Sequence, residues 1–324
     1  MFRARNFAAF RSPKKSPFKR SFSEGYRPLP RVRLLAPTIW SVAACSTIYI
    51  SCAAFEVYQD ALRVEAQEGR GAHGKTFKTF EELERLARRD NLSSIWDRVA
   101  STRGRSERPE FSEPQKLTLN FMAITTGVYL ASAAAPVIGM KFVHIPTLST
   151  NITLLTSTFG HAGLVHLAVN MYGMWWLMPG AARSPTFKES NAHLTAFYLS
   201  AGILSSLAQH AAAVWPRPNF TASLGASGAL FALFGIMGIS FPHTNVGIIF
   251  IPGSIPITQM MACVALFDAI GIFVRYPTFF RLGHAAHLSG LAVGVAYAKY
   301  GGDEKIWRPA RKAAFRAMHL LGIL

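Results

Sequence analysis

Three short polar clusters, each set in an apolar stretch, carry the chemistry this sequence can do. The first is His166 and Asn170. Their i, i+4 spacing puts both on one helical face, where two donors can hold an anion. The alternative reading is a hydrogen-bonded pair that glues helices together. The second is Gly225-Ala226-Ser227-Gly228. A serine flanked by glycines at a helix start allows close approach of a substrate backbone. It also offers backbone N–H groups that lack intrahelical partners. These are the parts of a nucleophile with an oxyanion hole, or else a small-residue packing face. The soluble-hydrolase elbow G-x-S-x-G is not matched, because Ala229 stands at its second glycine.

The third cluster is His287 with Gly290 and Gly294. A neutral imidazole inside a span can act as a general base. The two glycines form a small-xxx-small ridge that lets this helix approach another closely. The glycine-rich stretch holding Gly228, Gly235 and Gly238 is the expected mate, and such packing brings His287 to Ser227. His284, three residues earlier and nearer the helix end, competes for the role or is a surface histidine. Asp268 has two readings: a third member orienting His287, or structural glue, the reading favoured on cost within a membrane. No H-E-x-x-H metal motif is present.

Such groups need elements to position them. Half of the 324 residues are apolar and 16% are charged, where an average soluble domain carries about 25%. Seven apolar stretches follow: 34–55, 117–135, 160–178, 194–214, 225–241, 257–274 and 282–298. The first is long enough to cross a bilayer. Residues 56–116 form a charged linker with twelve bases and twelve acids, in which Thr79–Asp90 reads as an amphipathic helix, solvated on the surface. Residues 136–158 and 248–256 read as loops at the membrane surface. The expected fold is an all-α membrane protein with six core spans and one additional N-terminal span. Cys45, Cys52 and Cys263 lie in apolar stretches and read as small buried hydrophobes. No internal repeat is visible, which argues against a transporter.

Net charge is +17, from 34 bases and 17 acids, unevenly spread. Residues 1–33 hold ten Lys/Arg and one acid, Glu24. A segment so rich in Arg and Ser, without an apolar core, reads as a mitochondrial transit peptide. A nucleic-acid partner is disfavoured, because the basic excess sits at the N-terminus and beside apolar spans. The tail, 301–324, is basic and reads as a surface amphipathic helix. Seven spans put the termini on opposite sides, although both are basic. The N-terminal charge is expected to dominate. Asn151 and Asn219 match the glycosylation pattern, which arises easily by chance.

In order along the chain, H-x-x-x-N, G-x-S-G and H-x-x-G-x-x-x-G on three spans resemble the rhomboid intramembrane serine proteases over residues 117–300. The charged N-terminus, the additional span and the stretch from His284 to Gly290 are similar to the mitochondrial, presenilin-associated branch. The resemblance implies Ser227 as nucleophile and His287 as general base and acid. It implies His166, Asn170 and the Ser227 N–H as oxyanion donors, Gly225 and Gly228 as flanking glycines, and Gly290 and Gly294 as the packing ridge. Phe231 stands where many relatives have a tyrosine stacked on the histidine, and activity is expected to survive the lost hydroxyl. No metal or cofactor is implied. The implied location is the inner mitochondrial membrane. The implied partners are the lipid bilayer and single-span substrates, including dynamin-related fusion GTPases and other imported inner-membrane proteins. One departure stands out: residues 136–158 lack the Trp-Arg pair of many bacterial relatives. A catalytically silent, client-binding protein of the same fold is the alternative. Possession of both Ser227 and His287 argues against it.

Overall fold

A computed structural model describes residues 31–67, 77–89, 111–216, 222–248, 252–274 and 282–324, with the architecture inside Val32–Leu324. The basic segment 1–30, residues 90–110 of the linker and the Asn219 acceptor lie outside the described residues. The described residues are mostly helical. Its helices are α1 (Leu35–Gln67), α2 (80–89), α3 (Glu113–Ala134), α4 (Leu164–Ala182), α5 (Asn191–Ala212), α6 (Ser227–Ser240), α7 (Ile257–Phe273), α8 (His284–Lys299) and α9 (Arg308–Leu320). Between α3 and α4 the chain makes only short helical turns, among them Thr153–Thr156 and Ser157–Phe159. A two-residue antiparallel ladder, β1 (Asn245–Val246) with β2 (Ile255–Pro256), stands before α7.

Local chemistry fixes several ends. Ser112 and Gln115 form a capping box at α3, with the Ser112 N–H donating to Gln115 Oε1 at 2.9 Å, and the helix stops before Pro136. Ser190 caps α5, its Oγ accepting from the His193 N–H at 3.0 Å. Two helices, α1 and α3, are individually long and apolar enough to cross a membrane; α6 and α7 are apolar but shorter. With 14 residues, α6 is only about 21 Å long.

The core is shared among α4, α5, α6 and α8. Met174, Met178, Leu194, Phe197, Tyr198, Leu230 and Leu233 are buried there together. The first helix joins the same core through Tyr49 and Ala53, with Tyr49 against Tyr297 and Trp307 at centroid distances of 6.4 and 6.1 Å.

The structure corrects the reading of the linker and the tail. The first helix does not end with its apolar stretch at Phe55. It runs on to Gln67, because Val57, Ala61 and Val64 recur at helical spacing and pack against Phe77, Phe80, Leu83 and Phe315. Thus α2 is docked on a second small core rather than solvated. The tail helix α9 is docked there too, held by charge as well as by Phe315. Arg311 reaches Asp60 at 2.6 Å and Glu56 at 3.4 Å, Arg308 reaches Glu84 at 3.1 Å, and Lys312 reaches Glu81 at 2.6 Å.

Candidate functional site

The serine is presented by a backbone that needs glycine. Gly225 has φ +130°, a conformation side chains other than hydrogen rarely adopt. Its N–H donates to the Ser157 carbonyl at 2.9 Å, and a Cβ there would fall 2.9 Å from the His166 ring. The chain then turns, and Ser227 opens α6. The first N–H groups of this helix, including that of Ser227, have no acceptor within the helix.

His287 Nε2 lies 2.8 Å from Ser227 Oγ. The approach depends on small residues along α6 and α8. A Cβ on Gly290 would come 2.1 Å from the Gly228 carbonyl oxygen, one on Gly294 1.9 Å from that of Ala232, and one on Gly235 2.6 Å from that of Leu291. Gly238 departs from the expected ridge: it faces Met261 of α7, whose Sδ occupies the space of its Cβ. Phe231 lies one turn beyond Ser227 and stacks on His287, with centroids 4.4 Å apart and planes 13° from parallel. The ring face that the absent hydroxyl leaves intact therefore fixes the imidazole plane.

His166 accepts from the Ala162 N–H through Nδ1 at 3.3 Å. A neutral ring then carries its proton on Nε2, one of the ring atoms lying against Gly225 beside Ser227. Asn170 donates through Nδ2 to the His166 carbonyl at 2.8 Å and is almost wholly buried. That bond ties Asn170 to its own helix. A second Nδ2 hydrogen remains for another acceptor.

Several neighbours were not foreseen. The His161 ring sits 4.9 Å from that of His166. Its Nε2, Asn170 Oδ1 and Ser205 Oγ are buried and have no hydrogen-bond partner among the described residues. Gln209 Oε1 accepts from the Ala286 N–H at 3.3 Å, at the start of the helix carrying His287. His144 and His210 meet at 2.8 Å, and His210 Nε2 lies 2.9 Å from the Arg33 carbonyl, tying the beginning of α1 to the end of α5. His161 precedes His166 by five residues, so helical spacing alone did not pair them. The Gln209, His144 and His210 contacts span 66 to 177 positions and leave no local signal.

Asp268 makes contacts that fit both of its sequence readings, and His284 departs from one of its two. His284 is no surface residue: it is buried, with Nδ1 2.7 Å from Asp268 Oδ1. The same Oδ1 lies 3.4 Å from His287 Nδ1. Asp268 thus stands behind the histidine that faces the serine.

A half-buried serine at a helix start, a histidine on a glycine-packed neighbour and a His/Asn pair alongside make up a serine–histidine site. Residues 149–303 match the Rhomboid domain family, and this stretch of the chain is a rhomboid domain. Over 156 residues the chain is 31% identical to the presenilin-associated rhomboid-like protein, mitochondrial, of Homo sapiens, covering 48% of this chain and 39% of that protein. It is 28% identical over 208 residues to presenilin-associated rhomboid-like protein A, mitochondrial, of Danio rerio, covering 61% and 50%. It is 31% identical over 159 residues to Rhomboid protein 1, mitochondrial, of Saccharomyces cerevisiae, covering 47% and 42%. The matched stretch is similar to proteins of the presenilin-associated rhomboid-like type. It spans about two-fifths to half the length of these relatives.

Proposed function

We propose that this protein is an intramembrane serine endopeptidase of the inner mitochondrial membrane, with one additional span before a six-span core. It cleaves the membrane segments of single-span proteins, with imported inner-membrane proteins and dynamin-related fusion GTPases as the expected substrates. The observation that carries the reading is the 2.8 Å approach of His287 Nε2 to Ser227 Oγ at the start of a helix.

In the proposed reaction His287 takes the Ser227 proton as Oγ attacks a peptide carbonyl. The oxyanion is met by His166 Nε2–H, the free Asn170 amide hydrogen and the Ser227 N–H. Loss of one such donor typically costs about 2.7–4 kcal/mol of barrier. His287 then gives its proton to the leaving amine, and water hydrolyses the acyl-enzyme along the same route. The shortness of α6 supports this chemistry. At about 21 Å it falls short of a hydrocarbon layer of roughly 30 Å, so Ser227 can sit below the surface with its polar neighbours around it. Mitochondrial placement rests on the names of the relatives and on the basic segment 1–33.

The test is labelling with a fluorophosphonate probe, joined to cleavage of a single-span substrate in proteoliposomes. Wild type should label and cleave, whereas Ser227→Ala and His287→Ala should do neither while keeping the wild-type melting temperature. Cleavage by Ser227→Ala would remove the nucleophile assignment. A folded wild type that binds single-span clients but neither labels nor cleaves would turn the reading to client binding.

A further inference from the structure

His144 stands where the chain between α3 and α4 meets the loop that presents the serine. Its backbone N–H donates to the Ser223 carbonyl and its carbonyl accepts from the Ser223 N–H, both at 2.9 Å. Its ring Nδ1 lies 2.7 Å from Thr153 Oγ1, and its Nε2 lies 2.8 Å from His210 Nδ1. His210 Nε2 in turn lies 2.9 Å from the Arg33 carbonyl, just before α1. Both histidines are buried. Neither enters the proposed proton transfers.

Backbone and ring of His144 each lead to Ser227. Ser223 precedes Gly225 by two residues, so the backbone bridge holds the loop on its N-terminal side. Thr153 opens the helical turn that runs into Ser157, and the Ser157 carbonyl accepts the Gly225 N–H at 2.9 Å. Gly225 gives the loop its turn at φ +130° and brings no side chain to lock it. The loop is therefore held by its neighbours, and His144 is bonded to both supports.

The neutral pair has one proton arrangement. The Arg33 carbonyl only accepts, so His210 carries its proton on Nε2. Its bare Nδ1 then accepts from His144 Nε2–H. The bare Nδ1 of His144 accepts from the Thr153 hydroxyl. Thr153 Oγ1 is also 2.7 Å from the Thr150 carbonyl, but its single proton serves His144 here. Two buried imidazoles are thus fully bonded without a charge.

We infer that His144 and His210 are positioning residues for Ser227, tying the start of α1 and the end of α5 to the loop that presents the nucleophile. This rests on the proposed protease reading. Neither side chain touches the reacting atoms; together they fix the backbone before Ser227 relative to the helices around it. The additional N-terminal helix is thereby part of the support of the site, through the carbonyl that precedes it. A purely structural clip would lower the melting temperature and leave the rate of each folded molecule untouched.

His144→Phe keeps a buried ring and the backbone bridge but removes both side-chain bonds. A misplacement of about 1 Å costs on the order of 10²-fold in rate, so kcat should fall by about 10- to 100-fold in this variant, with KM unchanged. Fluorophosphonate labelling, which needs no membrane substrate, should slow in parallel well below the melting temperature. His144→Gln offers an amide N–H to His210 from about the place of Nε2 and should recover most of the loss. Wild-type kcat and labelling in folded His144→Phe overturn the inference. His210→Phe leaves His144 and Thr153 in place and should lose rate in the same direction; wild-type rates in it overturn the inference as well. A further measurement needs no variant. In ¹⁵N-histidine wild type both rings should show the Nε2–H tautomer, and an Nδ1–H tautomer at His210 overturns the hydrogen-bond chain on which the inference stands. Wild type that labels alongside unaffected His144→Phe and His210→Phe removes only the positioning role. Unimpaired cleavage by Ser227→Ala removes the protease reading itself.

Discussion

Replacing Gly290 by alanine tests whether the α6–α8 contact sets the serine–histidine geometry. The new Cβ would lie 2.1 Å from the Gly228 carbonyl oxygen, where ordinary contact begins at 3.4 Å. Both atoms are fixed to helix backbone, so no side chain can swing aside. The helices must part by roughly 1 Å, because close-packed interiors cannot absorb such an overlap. Gly228 adjoins Ser227, and His287 lies one turn before Gly290, so the separation passes directly to the pair. The 2.8 Å bond would open to about 3.8 Å, beyond hydrogen-bond range. A misplacement of about 1 Å costs on the order of 10²-fold in rate, and overpacking costs about 1–3 kcal/mol of stability. Single-turnover cleavage in proteoliposomes, with melting measured on the same preparation, reads both. Gly127→Ala on α3, where nothing lies within 4 Å of the new Cβ, is the control and should cleave as wild type does. Wild-type cleavage by folded Gly290→Ala would refute the claim that glycine packing sets the distance.

Three further outcomes are expected. Arg311→Met leaves Glu56, Asp60 and Glu84 facing one another without their shared cation. Stability should fall by about 3–5 kcal/mol, and limited proteolysis should reach 80–89 first; unchanged melting would show that Arg311 does not hold α9 in place. Acidification should destabilise the fold. Burial first, then the neighbouring His210, holds His144 at about 4 against an ordinary 6.5. Between those values the unfolded chain takes up a proton that the fold refuses, so stability is complete above 6.5 and declines below it by about 1.4 kcal/mol per pH unit; a melting temperature that stays level from pH 7 to 5 contradicts this. A tag after Leu324 should be digested from the outer face of mitoplasts, and protection of that tag would overturn the proposed arrangement of spans.

The three polar clusters that the structure brings together were legible because each is local. An i, i+4 pair, a glycine-flanked serine and a small-xxx-small ridge are patterns within one helix, and hydropathy alone located the helices. The partner of the ridge was legible only in part: Gly228 and Gly235 face α8, but Gly238, one turn on, turns to Met261. Helical spacing gives a face, not the neighbour the face meets. The cation-holding acids of α1 and α2 were not legible for a related reason. Residues 56–116 balance twelve bases against twelve acids, which reads as a solvated linker. Their real partners, Arg308, Arg311 and Lys312, lie more than 220 positions later. Of the two readings of His284 the surface one fails, because its neighbourhood in sequence, near a helix end, says nothing of Asp268 sixteen residues earlier on another helix.

Those late partners also bear on orientation. Counted by residue, the tail, with Lys305, Arg308, Arg311, Lys312 and Arg316 against Asp303 and Glu304, is a weaker positive-inside signal than the N-terminus, and seven crossings cannot satisfy both. Pairing weakens the tail further. In the tail Arg308, Arg311 and Lys312 each sit on a carboxylate of α1 or α2, and a neutralised pair adds little to the field that a bilayer or an insertion machinery responds to. The ten bases of residues 1–33 have only Glu24 to offset them. On the proposed one-plus-six arrangement the N-terminal side is therefore the matrix, and α9 faces away from it with the last turns of α1. The contact between His210 and the Arg33 carbonyl joins the start of α1 to the end of α5, the end from which the chain returns to Ser227. On the arrangement we propose, Ser227 would then lie toward the side on which α1 begins, and accessibility of a cysteine placed at that end to an impermeant thiol reagent in mitoplasts tests this.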